Sequence, residues 1–174
     1  WGKGFPGWHI ECSAMSMKHL GETFDVHTGG IDHIPIHHTN EIAQSQCATG
    51  KKFVNYWLHS NFLVMKEEGK MGKAFGNSIN LDSLKDQNIS PIDYRYFCLK
   101  SHYGKRLLYD KKIIIGAVNS VNKLKKEIYK LKEKNLKIIP LNKLGKSSKD
   151  YLTQFKKAIF NDLNTAQGIA IMWK

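Results

Sequence analysis

The sequence has no apolar run of the roughly 18 residues that a membrane-spanning helix needs, and no basic segment leading into an apolar one as a secretion signal would have. No membrane association is expected, and a cytoplasmic location is. Cysteine is scarce: Cys12, Cys47 and Cys98 are odd in number and widely spaced, which suits a reducing compartment better than a disulfide framework. A thiol here is expected as a ligand or a core residue. Internal repeats and low-complexity tracts are lacking too. What remains is a globular chain of 174 residues, 41% apolar, with enough core for one medium domain or two small ones. It opens on Trp1, with no initiator methionine, and stops at Lys174 just after the apolar "GIAIMW", so a piece of a longer protein is expected.

Acidic residues run short toward the end. Residues 1–60 carry 4 Lys/Arg against 5 Asp/Glu and residues 61–100 carry 6 against 5, but residues 101–174 carry 17 against 5. The net charge of +12 therefore sits in the last part. A basic region joined to a nearly neutral one suits an anionic partner such as nucleic acid, held through phosphate contacts. The bland alternative is a solvated, lysine-rich helix face.

Hydrophobic spacing divides the chain in two. "HIECSAMSMKHL" predicts a helix over 9–20 with Gly21 as its cap, "ETFDVH" a short strand, "TGG" a turn, and "HHTNEIAQSQCATG" a second helix closed by Gly50. "FVNYWLHSNFLVM" reads as strand, and "KEEGKMGKAFGNS" as a polar loop. This alternation predicts an α/β unit with a mostly parallel sheet to about residue 100. Beyond the loop the pattern is helical. Ser90, Pro91 and Asp93 form a helix start, and Val118, Val121, Leu124, Ile128 and Leu131 mark one face of a long amphipathic helix. "NLKIIPLNKLGKSS" reads as a loop, after which "KDYLTQFKKAIFNDL" restarts a helix.

The chemistry concentrates in "DVHTGGIDHIPIHHTNEIAQS", which could be a metal site, a nucleotide-binding turn or an accidental cluster. His37 and Glu41 are four residues apart on a predicted helix, so both project from one face. Zinc accepts sulfur, imidazole nitrogen and carboxylate oxygen, which makes Cys12 on the preceding helix the third candidate ligand. Most such pairs are surface neighbours, and the spacing alone leaves the choice open. His38 points about a third of a turn away from His37. Gly29, Gly30 and Asp32 follow a strand, where glycines let the backbone approach a ligand and an acid can bind ribose or ammonium; an ordinary turn is the alternative. Lys70 and Lys73, in "KMGK", could neutralise a polyphosphate leaving group or be solvated surface charges.

Taken in order, "GWHIECSAMS", "GGIDHIPIHHTNEIAQS", "YWLHSNFL", "KMGKAFGNS", "SPIDYRYFCLKSHY" and "FNDLNTAQGI" resemble cysteinyl-tRNA synthetase, a class I aminoacyl-tRNA synthetase, over nearly the whole chain. The resemblance implies the second half of a Rossmann-type catalytic domain over 1–77, a stem-contact helical linker over 78–110 and an all-α, tRNA-facing bundle over 111–174. It implies that Cys12, His37 and Glu41 hold one Zn2+ that takes the substrate thiolate, with a fourth ligand, a cysteine, upstream. Thiolate preference over serine's hydroxyl would then give selectivity without editing. Trp8 falls on the aromatic that packs against the amino acid, and His27, Gly29, Gly30 and Asp32 on the region lining the substrate pocket. Lys70 and Lys73 fall on the lysines of the KMSKS loop, with Lys73 the main stabiliser of departing pyrophosphate. Its two serines are replaced by Gly72 and Ala74, which implies a more flexible loop and a weaker closure. "DHIPIHH" is a second departure, but the five-residue step from Asp32 to His37 survives. The HIGH motif and the anticodon-binding end would lie outside the chain, which should be inactive alone. The implied partners are ATP with Mg2+, L-cysteine and tRNA(Cys), and a monomer is expected. Three alternatives compete: the related cysteine-activating ligase of mycothiol biosynthesis, a zinc hydrolase with Glu41 as base, and an RNA-binding module without catalysis.

Overall fold

A computed structural model describes residues 2–65, 69–70, 79–134, 140, 143 and 145–174. The chain forms two compact units, Trp1–Phe62 and Leu63–Lys174, each mixing helix and strand in its described residues or, in the second, being helical around a small sheet.

The first unit runs α1 (His9–Leu20), β1 (Phe24–Gly30), a 3-10 turn (Ile31–His33), a π turn (Ile34–His38), α2 (Thr39–Thr49) and β2 (Val54–Ser60). β1 and β2 pair in parallel, with Phe24 opposite Val54, His27 opposite Trp57 and Gly29 opposite His59. Parallel neighbours need a crossover, and α2 supplies it. The spacing-based helix over 9–20 agrees with α1, and α2 ends at Gly50 as expected. Two details differ. "TGG" continues β1 instead of turning, because Thr28, Gly29 and Gly30 pair with Leu58, His59 and Ser60. His37 and His38 belong to the π turn preceding α2, which widens the helix at the point where their rings enter the unit. Phe24, Phe53 and Val54 form a small apolar core with Ile42 and Trp57.

The second unit contains β3 (Leu63–Met65), β4 (Gly69–Lys70), α3 (Leu81–Asp86), α4 (Pro91–Leu99), β5 (Leu107–Tyr109), α5 (Lys111–Glu133), α6 (Lys146–Phe160) and α7 (Thr165–Met172). "FVNYWLHSNFLVM" is thus two strands in two units, β2 and β3, separated at Asn61 and Phe62. β3 pairs antiparallel with β4 and parallel with β5, so the expected polar loop holds a short strand and the later region is not purely helical. Most of that loop and of "NLKIIPLNKLGKSS" lies outside the described residues.

α4 begins as its sequence dictates. Asp93 N–H donates to Ser90 Oγ at 3.3 Å, and Ser90 N–H and Oγ–H donate to Asp93 Oδ2 at 2.9 and 2.7 Å. This satisfies helix-terminal donors reciprocally. α3 starts with a second such box, from Asn80 and Ser83. The core is Leu84, Ile89, Phe97, Tyr109, Ile114 and Ala117. α5 follows the expected apolar face, but only its first half is buried: Ile114, Ala117 and Val121 are covered, whereas Ile128 and Leu131 are exposed. α6 and α7 are joined by a turn in which Tyr103 Oη–H donates to Asp162 Oδ1 at 2.5 Å, and His102 Nε2 lies 2.7 Å from the Asp162 carbonyl oxygen. No described helix is long and apolar enough to cross a membrane.

Candidate metal centre

The first unit gathers several of the candidate side chains around Glu41, which is fully buried on α2. Cys12, one turn into α1, His37 from the π turn and Glu41 offer one sulfur, one nitrogen and one oxygen within 4.8 Å of one another. Glu41 Oε1 lies 2.8 Å from His37 Nε2 yet makes no hydrogen bond. A buried carboxylate oxygen left so is costly. A cation at this point would remove the cost, and a sulfur, nitrogen and oxygen donor set is one that zinc accepts. The site therefore fits the expected metal.

Glu41's other oxygen is held. His27 Nε2, from the middle of β1, lies 2.7 Å from Oε2, so His27 orients the carboxylate in addition to standing where the substrate pocket was expected. This link was not part of the sequence reading. Burial pushes the Cys12 thiol above its usual range, and the Glu41 carboxylate adds to the effect. Without a metal the thiol therefore holds its proton at neutral pH, and binding a metal must release it.

A layer of rings surrounds these groups. His38 is buried, and its Nδ1 lies 2.7 Å from His59 Nε2 on β2. Burial, followed by the neighbouring imidazoles, lowers the His38 pKa to about 4, and burial lowers that of His59 as well. Both rings are neutral near pH 7 and available as hydrogen-bond donors and acceptors. His33 stands 5.0 Å from His37 and 5.1 Å from His38 between ring centroids. The sequence signal for this cluster was the density of histidine; His59 and its pairing with His38 depend on strand register and could not be read from it.

Trp8 caps α1 with its indole 4.3 Å from the His37 ring, and it is 59% exposed, leaving one side of the ring open to a ligand. Gly29 is packed against the rings: a Cβ there would lie 2.5 Å from His38 Cε1 and 2.8 Å from His33 Nδ1. A Cβ on Gly30 would collide with Asp32 Oδ1. At Gly29 the backbone is closely approached by the protein's own imidazoles, and at Gly30 by the Asp32 carboxylate. Asp32 is exposed just beyond the C-terminal end of β1. Lys70 lies on β4, where its backbone pairs with Val64, and Lys73 lies outside the described residues.

Residues 1–119 match the model of the family described as tRNA synthetases class I (C) catalytic domain. The chain is 40% identical over 173 residues to cysteine–tRNA ligase 1 of Burkholderia lata, covering 99% of this chain and 35% of that protein. It is 54% identical over 130 residues to the cysteine–tRNA ligase of Treponema denticola, covering 75% and 26% respectively. Against the cysteine–tRNA ligase of Borreliella burgdorferi it is 40% identical over 186 residues, covering 100% and 38%. The chain thus spans about a third of the length of the relatives it matches.

Proposed function

The chain belongs to the class I (C) tRNA synthetase catalytic-domain family, and on that premise we propose that the whole protein is a cysteine–tRNA ligase. The reaction joins L-cysteine and ATP into cysteinyl-adenylate with release of pyrophosphate, then transfers the cysteinyl group to the 3′ end of tRNA(Cys). The observation that carries this reading is the convergence of Cys12, His37 and Glu41 in a chain so similar to three such ligases. Neither the mycothiol ligase nor the zinc hydrolase is favoured by these relatives.

Cys12, His37 and Glu41 would hold zinc, which when bound supplies a soft Lewis acid that takes thiolate sulfur in preference to a hydroxyl. His27 keeps the Glu41 carboxylate fixed, and Trp8 offers an apolar face to the amino acid. Asp32, beyond the strand end, is suited to ribose or ammonium. Lys73, assisted by Lys70, stabilises charge on the pyrophosphate of Mg2+-bound ATP. Catalysis is then positioning and charge stabilisation, with no covalent intermediate on the protein.

The basic helices suit the tRNA backbone. A groove of about 480 Å³ lined by Tyr96, Lys100, Ser120, Lys123 and Trp173 combines cations with aromatic faces, and Lys123 Nζ stands 5.4 Å from the Trp173 ring centroid. Binding there should weaken as salt rises. The whole protein is expected to work as a cytoplasmic monomer.

The test is cysteine-dependent exchange of pyrophosphate into ATP by the whole protein, followed by charging of tRNA. Replacing Lys73→Ala should slow exchange roughly 10²–10³-fold while cysteine affinity stays within about threefold. Absence of exchange, or transfer of cysteine to a sugar amine and not to tRNA, would contradict the reading.

A further inference from the structure

The proposed zinc site leaves open what decides which nitrogen of His37 faces the metal. His37 is 6% exposed, and its two ring nitrogens have different neighbours. Nε2 lies 2.8 Å from Glu41 Oε1, on the side of the ligand group. Nδ1 lies 3.1 Å from Nδ1 of His9, the first residue of α1. A neutral imidazole has one N–H and one lone pair. If Nε2 is to bind a metal, its lone pair must be free, the proton must sit on Nδ1, and that buried N–H then needs an acceptor.

We propose that His9 is a positioning residue for the zinc ligand: its Nδ1 accepts the Nδ1–H of His37 and so reserves His37 Nε2 for the metal. This rests on the zinc reading above and deepens it.

The local fold supports the role. His9 and Cys12 are three residues apart on α1, so one helix face delivers both the candidate ligand and the acceptor that orients a second ligand. The His9 and His37 rings meet edge to face, with centroids 5.0 Å apart. Gly7 backs the His9 ring closely: a Cβ there would lie 2.9 Å from His9 Cδ2. One turn further along α1, buried Ser13 Oγ lies 3.1 Å from the His9 carbonyl oxygen and 2.8 Å from Gln44 Oε1 on α2, which ties the helix carrying His9 to the helix carrying Glu41. The His9 backbone is thus tied toward α2 through Ser13, and its ring lies close to Gly7.

The experiment compares zinc affinity of the whole protein, by competition with a chromophoric chelator, in wild type, His9→Phe, His9→Asn and Cys12→Ser. Phenylalanine keeps the ring and removes the acceptor; asparagine places an oxygen acceptor at the same bond distance from the backbone as Nδ1. His9→Phe should weaken zinc binding about 10–100-fold, and His9→Asn should stay within about threefold of wild type. Unchanged affinity in His9→Phe, or equal loss in both variants, would overturn the proposal. Nitrogen-15 NMR of the zinc-loaded wild type gives an answer that needs no variant: the proton is expected on His37 Nδ1 and absent from His9 Nδ1, and the reverse would also overturn it. If Cys12→Ser binds zinc as wild type does, the zinc site itself is misplaced and both readings fall; if only His9→Phe is neutral, this one alone does.

Discussion

The two units bury different chemistry. Among the described residues, Trp1–Phe62 buries Ser13, His37, His38, Glu41 and Ser45 beside a core of only Phe24, Phe53 and Val54. Among its described residues, Leu63–Lys174 buries Leu84, Ile89, Phe97, Tyr109, Ile114, Ala117, Val121, Ala158 and Ile171, with Asp93 the one buried polar or charged residue. A buried polar group must find partners or it costs stability. In the first interior His27 and His37 face the Glu41 carboxylate and His38 faces His59, while Glu41 Oε1 and Ser45 Oγ make no hydrogen bond. The second interior is held mainly by area removed from water, and Asp93 Oδ2 serves a helix cap. The candidate metal ligands are thus fixed among buried polar groups in the first unit, while the interior of the second is mainly apolar.

Substitutions in the two interiors should produce different kinds of loss. Phe97→Ala, at a fully enclosed site, should cost about 3–5 kcal/mol of stability, read by denaturant unfolding, and leave zinc content of the folded protein unchanged. A matching loss of zinc would mean that the units are not separable in this way. Glu41→Gln sharpens the other side. It keeps the shape but removes the charge that faces His27 and His37, and zinc affinity should fall well beyond tenfold with a smaller change in stability than Phe97→Ala produces. The smallest effect is expected at the second unit's own polar device: Ser90→Ala should cost about 1 kcal/mol through loss of the cap, again in unfolding and not in metal content.

How much of this could be read beforehand follows from range. The α4 start at Ser90, Pro91 and Asp93, the extent of α1 and the Gly50 end of α2 depend on residues within one or two turns, and each agrees with the sequence reading. "TGG" was misread as a turn because glycine usually ends strands, yet here Gly29 and Gly30 pair with His59 and Ser60 some thirty positions on, information that no local pattern holds. "FVNYWLHSNFLVM" looked continuous because both strands are rich in β-branched and aromatic residues; its division lies in which partner each half pairs with. Helical spacing and donor type made Cys12, His37 and Glu41 candidates without deciding between a metal site and surface neighbours; the family resemblance implied the set, and the fold brings the three together. The roles of His27 and His9 could not, since each depends on a hydrogen bond between elements whose relative placement only the fold defines.

The measurement that most directly tests the proposed function is zinc stoichiometry and cysteine binding in the whole protein, with and without Cys12→Ser. One zinc per chain and cysteine binding in the wild type, both lost together in the variant, is the predicted result. Zinc retained at full stoichiometry in Cys12→Ser, or cysteine bound equally well without zinc, would contradict the account.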